Sequence, residues 1–196
     1  MQQRIAIFGG SFDPVHLGHI GMAEEAHRRE QLDRVIFLPC LRSPHKPDRP
    51  GATPEQRAAM IEIAVRELPW AEVSRWEIER SPPSYSWMAA EHFHSAFPEA
   101  ELYWIMGNDQ WRVLERWARP DRLATLLTFI VFTRGEQPSE KAGFHWSAVD
   151  HRHPASSTEI RERVAREEDC SDMLDPGVAA YIAEHGLYSP VSPTAT

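Results

Sequence analysis

The chain has 196 residues, 42% apolar and 26% charged, with a formal charge of −8 at neutral pH. That length suits one domain with a single well-buried core, and the composition is that of an ordinary soluble globular protein. The acidic balance argues against a nucleic-acid partner, so a phosphorylated small molecule would need a local basic pocket inside an acidic envelope. No apolar run approaches the ~18 residues a membrane span needs, which argues against a membrane partner. No signal-peptide pattern opens the chain, so the cytoplasm is the expected compartment. Cys40 and Cys170 are far apart, without a C-x-x-C, and read as reduced thiols. Lysine stands only at 46 and 141, so arginine supplies nearly all positive charge.

Residues 5–8 form a short apolar run that reads as a buried strand, ended by Gly9-Gly10. Pro14 precedes a helical pattern from about His16, running over 17–31. Strand, glycine turn and helix start aim free backbone N–H groups at an anion. His16 and His19, three apart, fall on one side of the first helical turn. A Gly-Gly turn or an H-x-x-H alone would mean little; together within sixteen residues they read as a phosphate site under two imidazoles. Neither G-x-x-x-x-G-K-[ST] nor G-x-G-x-x-G is present.

Residues 34–39 read as a second buried strand, followed by a proline-rich loop over 40–52 that carries His45 and Lys46. Thr53, Pro54 and Gln56 predict a capped helix start, the helix ending before Pro69. Residues 70–78 alternate and predict a less buried strand; 85–96 predict a helix, and 102–106 a fully buried strand closed by Gly107. A short helix around 110–115 follows, then one from about Asp121, a strand over 127–132, a polar surface loop over 135–143 and a last strand over 146–149. Ser156 and Glu159 predict a capping box for a helix through Arg166, with Glu159 paired to Arg163. Asp175-Pro176 opens a final helix ending at Gly186, and 189–196 read as a disordered tail. The alternation implies one α/β domain over 1–188, Rossmann-like, with a mostly parallel sheet covered on both faces. Ligands bind such sheets beyond the carboxyl ends of the strands, where each distinctive segment falls.

Residues 9–19, Gly-Gly-Ser-Phe-Asp-Pro-Val-His-Leu-Gly-His, resemble the G-G-[ST]-F-D-P-x-H-x-G-H signature of adenylyltransferases in the HxGH nucleotidyltransferase superfamily. Ser43-Pro-His-Lys46 is similar to that family's P-P-H-K loop, with serine for the first proline. Gly107-Asn-Asp109 through Trp117 resembles its G-x-D-x(7)-W segment, and Ser156-Ser-Thr-Glu-Ile-Arg161 its I-S-S-T-x-I-R signature, with Ala155 in place of isoleucine. Tyr85-Ser86 resembles the segment flanking the mononucleotide pocket, and 175–188 the C-terminal P-x-x-V-x-x-Y-I-x-x-x-x-L-Y run.

The resemblance implies a nicotinate-mononucleotide adenylyltransferase reaction, with ATP and nicotinate mononucleotide as substrates. Mg²⁺ would come with ATP rather than sit in a protein cage. It implies catalytic His16 and His19, and an ATP site from Gly9, Gly10, Ser11, Phe12, His16, Gly18, His19, Lys46, Gly107, Asp109, Ser156, Ser157 and Arg161. Lys46, Tyr85, Ser86, Trp117 and Arg134 fall to the mononucleotide, Trp117 stacking on its pyridine ring. Within the superfamily, nicotinamide mononucleotide, pantetheine phosphate and cytidylyl transfer stay open as alternatives. Outside it, so do a hydrolase with His16, His19 and His45 on a metal, and a non-catalytic nucleotide-binding regulator. Oligomeric state leaves no mark in the sequence.

Overall fold

The computed structural model describes residues 2–41 and 51–189. Lys46, His45 and most of the expected tail therefore lie outside the described residues. Six strands, β1 (Arg4–Gly10), β2 (Arg34–Pro39), β3 (Ala71–Val73), β4 (Glu101–Gly107), β5 (Thr128–Thr133) and β6 (His145–Asp150), form one sheet. Their order is β3-β2-β1-β4-β5-β6, and every neighbouring pair is parallel. The helices are α1 (Leu17–Glu30), α2 (Pro54–Ala64), α3 (Ser86–Ala96), α4 (Asn108–Val113), α5 (Pro120–Leu126), α6 (Ser157–Ala165) and α7 (Pro176–Glu184).

Strand side chains alternate between two apolar layers, as the period of two requires. Ala6, Phe8, Val35, Phe37, Tyr103 and Ile105 face α1, α2, α6 and α7, which contribute Ala23, Met60, Ile160 and Val178. Ile5, Ile7, Ile36, Leu38, Trp104 and Met106 face α3 to α5, met there by Phe93, Trp111 and Leu123. Both faces are covered, which is why β1, β2, β4 and β5 read as continuous apolar runs rather than as alternating ones.

Three expectations need correction. The strand expected over 70–78 pairs only at Ala71–Val73; beyond it the chain turns, and Trp76 packs its indole flat on His92 instead (centroids 4.8 Å apart). The loop over 135–143 is not wholly a surface loop. Lys141 is buried, with Nζ 2.7 Å from the Glu115 carboxylate, and the Ser139 carbonyl accepts from the Trp111 indole N–H at 2.9 Å. The helix expected up to Pro69 stops at Ala64, with Val65 as its C-cap. The Thr53–Gln56 capping box forms in both directions (2.9 and 3.2 Å).

The register opens a crevice. β1 pairs with β4 only as far as Phe8–Ile105, but with β2 as far as Gly10–Pro39. Past Phe8, β4 continues alongside β5 to Gly107–Phe132. The strand order reverses at this gap, where ligands enter doubly wound sheets. A Cβ on Gly9 would stand 2.8 Å from the Trp104 indole, so the β1 terminus lies over β4 only because residue 9 lacks one. Gly9→Ala is expected to cost about 1–3 kcal/mol through overpacking, read as a lower urea midpoint with unchanged slope.

Candidate active site

The crevice widens into a cavity of about 590 Å³. Its floor comes from the first loop: Gly9, Gly10, Ser11 and Phe12, then His16, Gly18 and His19 at the start of α1. Gly107 and Asp109 enter from the end of β4, and Arg134 from the end of β5. Ten of the residues expected at the site are thus brought together. His16 is the N-cap of the fourteen-residue α1, in extended conformation, so the free N–H groups and positive dipole end of that helix face the cavity.

The two imidazoles are stacked, centroids 3.7 Å apart and 28° from coplanar. The His16 backbone N–H donates to His19 Nδ1 at 3.3 Å. That bond leaves the proton of a neutral His19 on Nε2, the nitrogen free to donate elsewhere. Phe12 and Phe8 enclose the His19 ring edge-on, at 5.0 and 6.0 Å. Phe12 is fully buried at a positive φ of 49°, and its ring also packs on Phe37 at 5.7 Å. Its side chain therefore serves chiefly to seat His19. Burial pushes the His16 imidazole down to about 4, with the charges of His153 and Arg134 adding to the effect. Burial, then His16, pushes His19 well below its ordinary value. Both rings are neutral in the free protein at pH 7, and His16 Nδ1 is buried without a hydrogen-bond partner among the described residues.

The serine–arginine segment of α6 does not line the cavity; it braces the loop beneath it. Ser156 caps α6 through the Glu159 N–H (3.2 Å). The expected capping box stays half-formed, because the Glu159 carboxylate pairs with Arg163 at 2.7 Å. The Ser157 hydroxyl donates to the Pro14 carbonyl (3.0 Å), and the Arg161 guanidinium to the Asp13 carbonyl (2.5 Å) and Thr158 hydroxyl (3.2 Å). Two further braces escaped the sequence reading. Buried Arg57 of α2 donates to the carbonyls of Ser11 and Cys40, both at 2.6 Å. The Tyr188 hydroxyl donates to an Asp13 carboxylate oxygen at 2.6 Å, which also accepts the Ala52 N–H. Burial raises that phenol far above its ordinary pKa, with the Asp13 charge adding to the effect.

Trp117 and Tyr85-Ser86 also stand outside the cavity. Trp117 packs half-buried on the layer beneath α3–α5, while Tyr85 precedes α3 and is 47% exposed. Trp104 belongs to the core of that layer, and Trp87 and Trp146 pack half-buried on the same layer. Missed from the sequence were Asn108, Gln110, Arg112, Glu136, His151 and His153, all cavity-lining. Asn108, Gln110 and Arg112 lie inside the Gly107–Trp117 segment without being marked by it; for the others the advance signal was position just past a strand end. Among the described residues no group of three or more His, Cys, Asp or Glu is placed to hold a metal ion, and no helix is long and apolar enough to cross a membrane.

A six-stranded parallel sheet with its cleft at the reversal of strand order, closed by an H-x-G-H helix start, defines a nucleotidyltransferase fold. The cytidylyltransferase-like family model matches residues 7–163. A relative from Methylacidiphilum infernorum named "probable nicotinate-nucleotide adenylyltransferase" is 41% identical, covering 95% of this chain and 93% of its own. One of the same name from Thermus thermophilus is 39% identical, over 94% and 99%. The fold matches the Plasmodium falciparum nicotinic acid mononucleotide adenylyltransferase complexed with NaAD. The TM-score is 0.77 at 19% identity, over 95% of this chain and 97% of that one. The chain belongs to the cytidylyltransferase-like family and, within it, to the group of the nicotinate-nucleotide adenylyltransferases.

Two outcomes test the site's construction. Lowered histidine pKa values mean that the unfolded chain binds more protons below pH 6.5, so the ligand-free protein should lose stability as pH falls from 6.5 toward 4. His16 alone accounts for about 3 kcal/mol of that loss, and the His16→Asn variant should show a flatter acid limb in denaturant titrations. Tyr188→Phe keeps the ring but removes a bond to a carboxylate; about 1.5–3 kcal/mol of stability should go with it.

Proposed function

We propose that the protein transfers AMP from ATP to nicotinate mononucleotide, giving nicotinate adenine dinucleotide (deamido-NAD) and pyrophosphate in NAD biosynthesis. The observation that carries this reading is the stacked, neutral His16–His19 pair at the N-terminus of α1, in a chain so similar throughout to relatives bearing that name.

A mononucleotide phosphate oxygen attacks the α-phosphorus, a new P–O bond forms, and the bond to the β-phosphate oxygen breaks with its electron pair leaving on pyrophosphate. The attacking monoester is already largely ionised at pH 7, its second pKa being about 6, so no general base is required. The protein supplies alignment of two repelling anions and stabilisation of charge on the transferred group. His19 Nε2 donates to the α-phosphate, because its other nitrogen is held by the His16 N–H. The helix N-terminus and the Gly9–Gly10 turn supply backbone donors beside it. Mg²⁺ enters as part of the substrate MgATP, held mainly by phosphates and water. Asp109 at the mouth of β4 is suited to the ribose, and Lys46 to phosphate. The pyridine ring falls to Trp117 and the exposed Tyr85, with Ser86 beside it; Tyr85 and Val113 are the large apolar side chains left exposed among the described residues.

Turnover with ATP and each mononucleotide in turn, read as pyrophosphate release and dinucleotide formation, should favour the nicotinate form; faster use of the nicotinamide form would reject the substrate assignment. His19→Ala should fold normally and lower kcat by ~10²-fold or more, the size of one lost transition-state donor.

A further inference from the structure

His151 and His153 follow β6 and line the cavity, yet belong to none of the signature segments. His153 Nδ1 accepts the Ala155 N–H at 3.1 Å. In the neutral ring this fixes the proton on Nε2, so His153 carries a donor with no acceptor recorded among the described residues. It approaches the histidine pair at Gly18. A Cβ at residue 18 would stand 3.0 Å from His16 Nδ1, tighter than ordinary contact, and 3.4 Å from His153 Cβ, an ordinary van der Waals distance. Both side chains thus meet the first turn of α1, and the missing side chain at residue 18 makes room for His16. His153 and Arg134 are also the two groups that lie close enough to His16 to act on it electrostatically. Among the described residues, two of the carboxylates nearby are already paired: Glu136 with Arg112, and Asp150 with Arg152 at 3.8 Å.

We propose that His153 is a further ATP-binding residue, its Nε2–H donating to the polyphosphate beyond the transferred α-phosphate. The inference rests on reading the cavity as an ATP site. The α-phosphate falls to His19; His153, which meets α1 at Gly18 and acts electrostatically on His16 but not on His19, is left to meet the next phosphates rather than the reacting one. It also gives the leaving pyrophosphate a donor carried by a loop outside the H-x-G-H helix.

Asparagine places an oxygen where Nδ1 was, so His153→Asn keeps the acceptor for Ala155 and deletes the Nε2 donor. Calorimetric titration of wild type and variant with ATP and with AMP separates the possibilities. The expected result is ATP binding weakened about tenfold, the scale of a lost bond to a charged group, AMP binding changed less than twofold, and an unchanged thermal midpoint. His153→Gln, whose amide reaches toward the Nε2 position, should regain part of the ATP affinity. Unchanged ATP affinity in His153→Asn overturns the proposal. So does equal weakening of ATP and AMP, which would make His153 a structural support of the loop. A wild type that binds ATP yet forms no dinucleotide rejects the reaction proposed above but not this contact; a wild type that binds no ATP rejects both.

Discussion

Everything at the site depends on holding four residues, Ser11 to Pro14, against the end of β1. This loop carries the chain from strand to helix and sets where His16 begins α1. Its own backbone cannot do that unaided: Phe12 sits at positive φ, a conformation a bulky residue keeps only when its surroundings insist. The insistence comes from charge-assisted or buried bonds to the loop's carbonyls and to the Asp13 carboxylate. They originate in Arg57, Ser157, Arg161 and Tyr188, on α2, on α6 and past α7. Three elements far apart in sequence thus meet on one turn.

That clamp accounts for the chemistry available above it. With the loop fixed, His19 is wedged between Phe8, Phe12 and His16, and its Nδ1 is occupied by a backbone N–H. A ring so held offers a neutral donor in a defined direction. Burial keeps both imidazoles uncharged in the free protein, so they add preorganised neutral donors to the helix dipole and to the Arg134 guanidinium. This suits a molecule of net charge −8 whose substrates are both anions.

The serine–arginine segment shows how one motif can serve two ends. By resemblance its hydroxyls and Arg161 belong with ATP phosphates. In the ligand-free fold the same groups grip the Asp13–Pro14 carbonyls, while Ala155 just before them reaches the cavity wall. The segment therefore acts on the histidines through the loop, whatever further contact it makes with a nucleotide.

The central strands were legible because two covered faces demand continuous apolar runs, and the Thr53 and Asp175 helix starts because caps are local chemistry. The eleven-residue run from Gly9 to His19 also announced an anion site without help, since turn, helix start and histidine spacing are contained within it. β3 was misjudged, because alternation over 70–78 cannot reveal that the neighbouring strand offers only three partners. The roles of Arg57, Tyr188 and His153 were invisible for the same kind of reason: even in the C-terminal run that ends at Tyr188, nothing local marks a buried guanidinium, a phenol on a carboxylate or a ring beside Gly18. The sequence by itself determined the doubly wound class and the strand-to-helix turn that carries the histidines. The tertiary structure alone decided which side chains brace that turn and which line the cavity, because those roles depend on contacts spanning up to 175 positions along the chain.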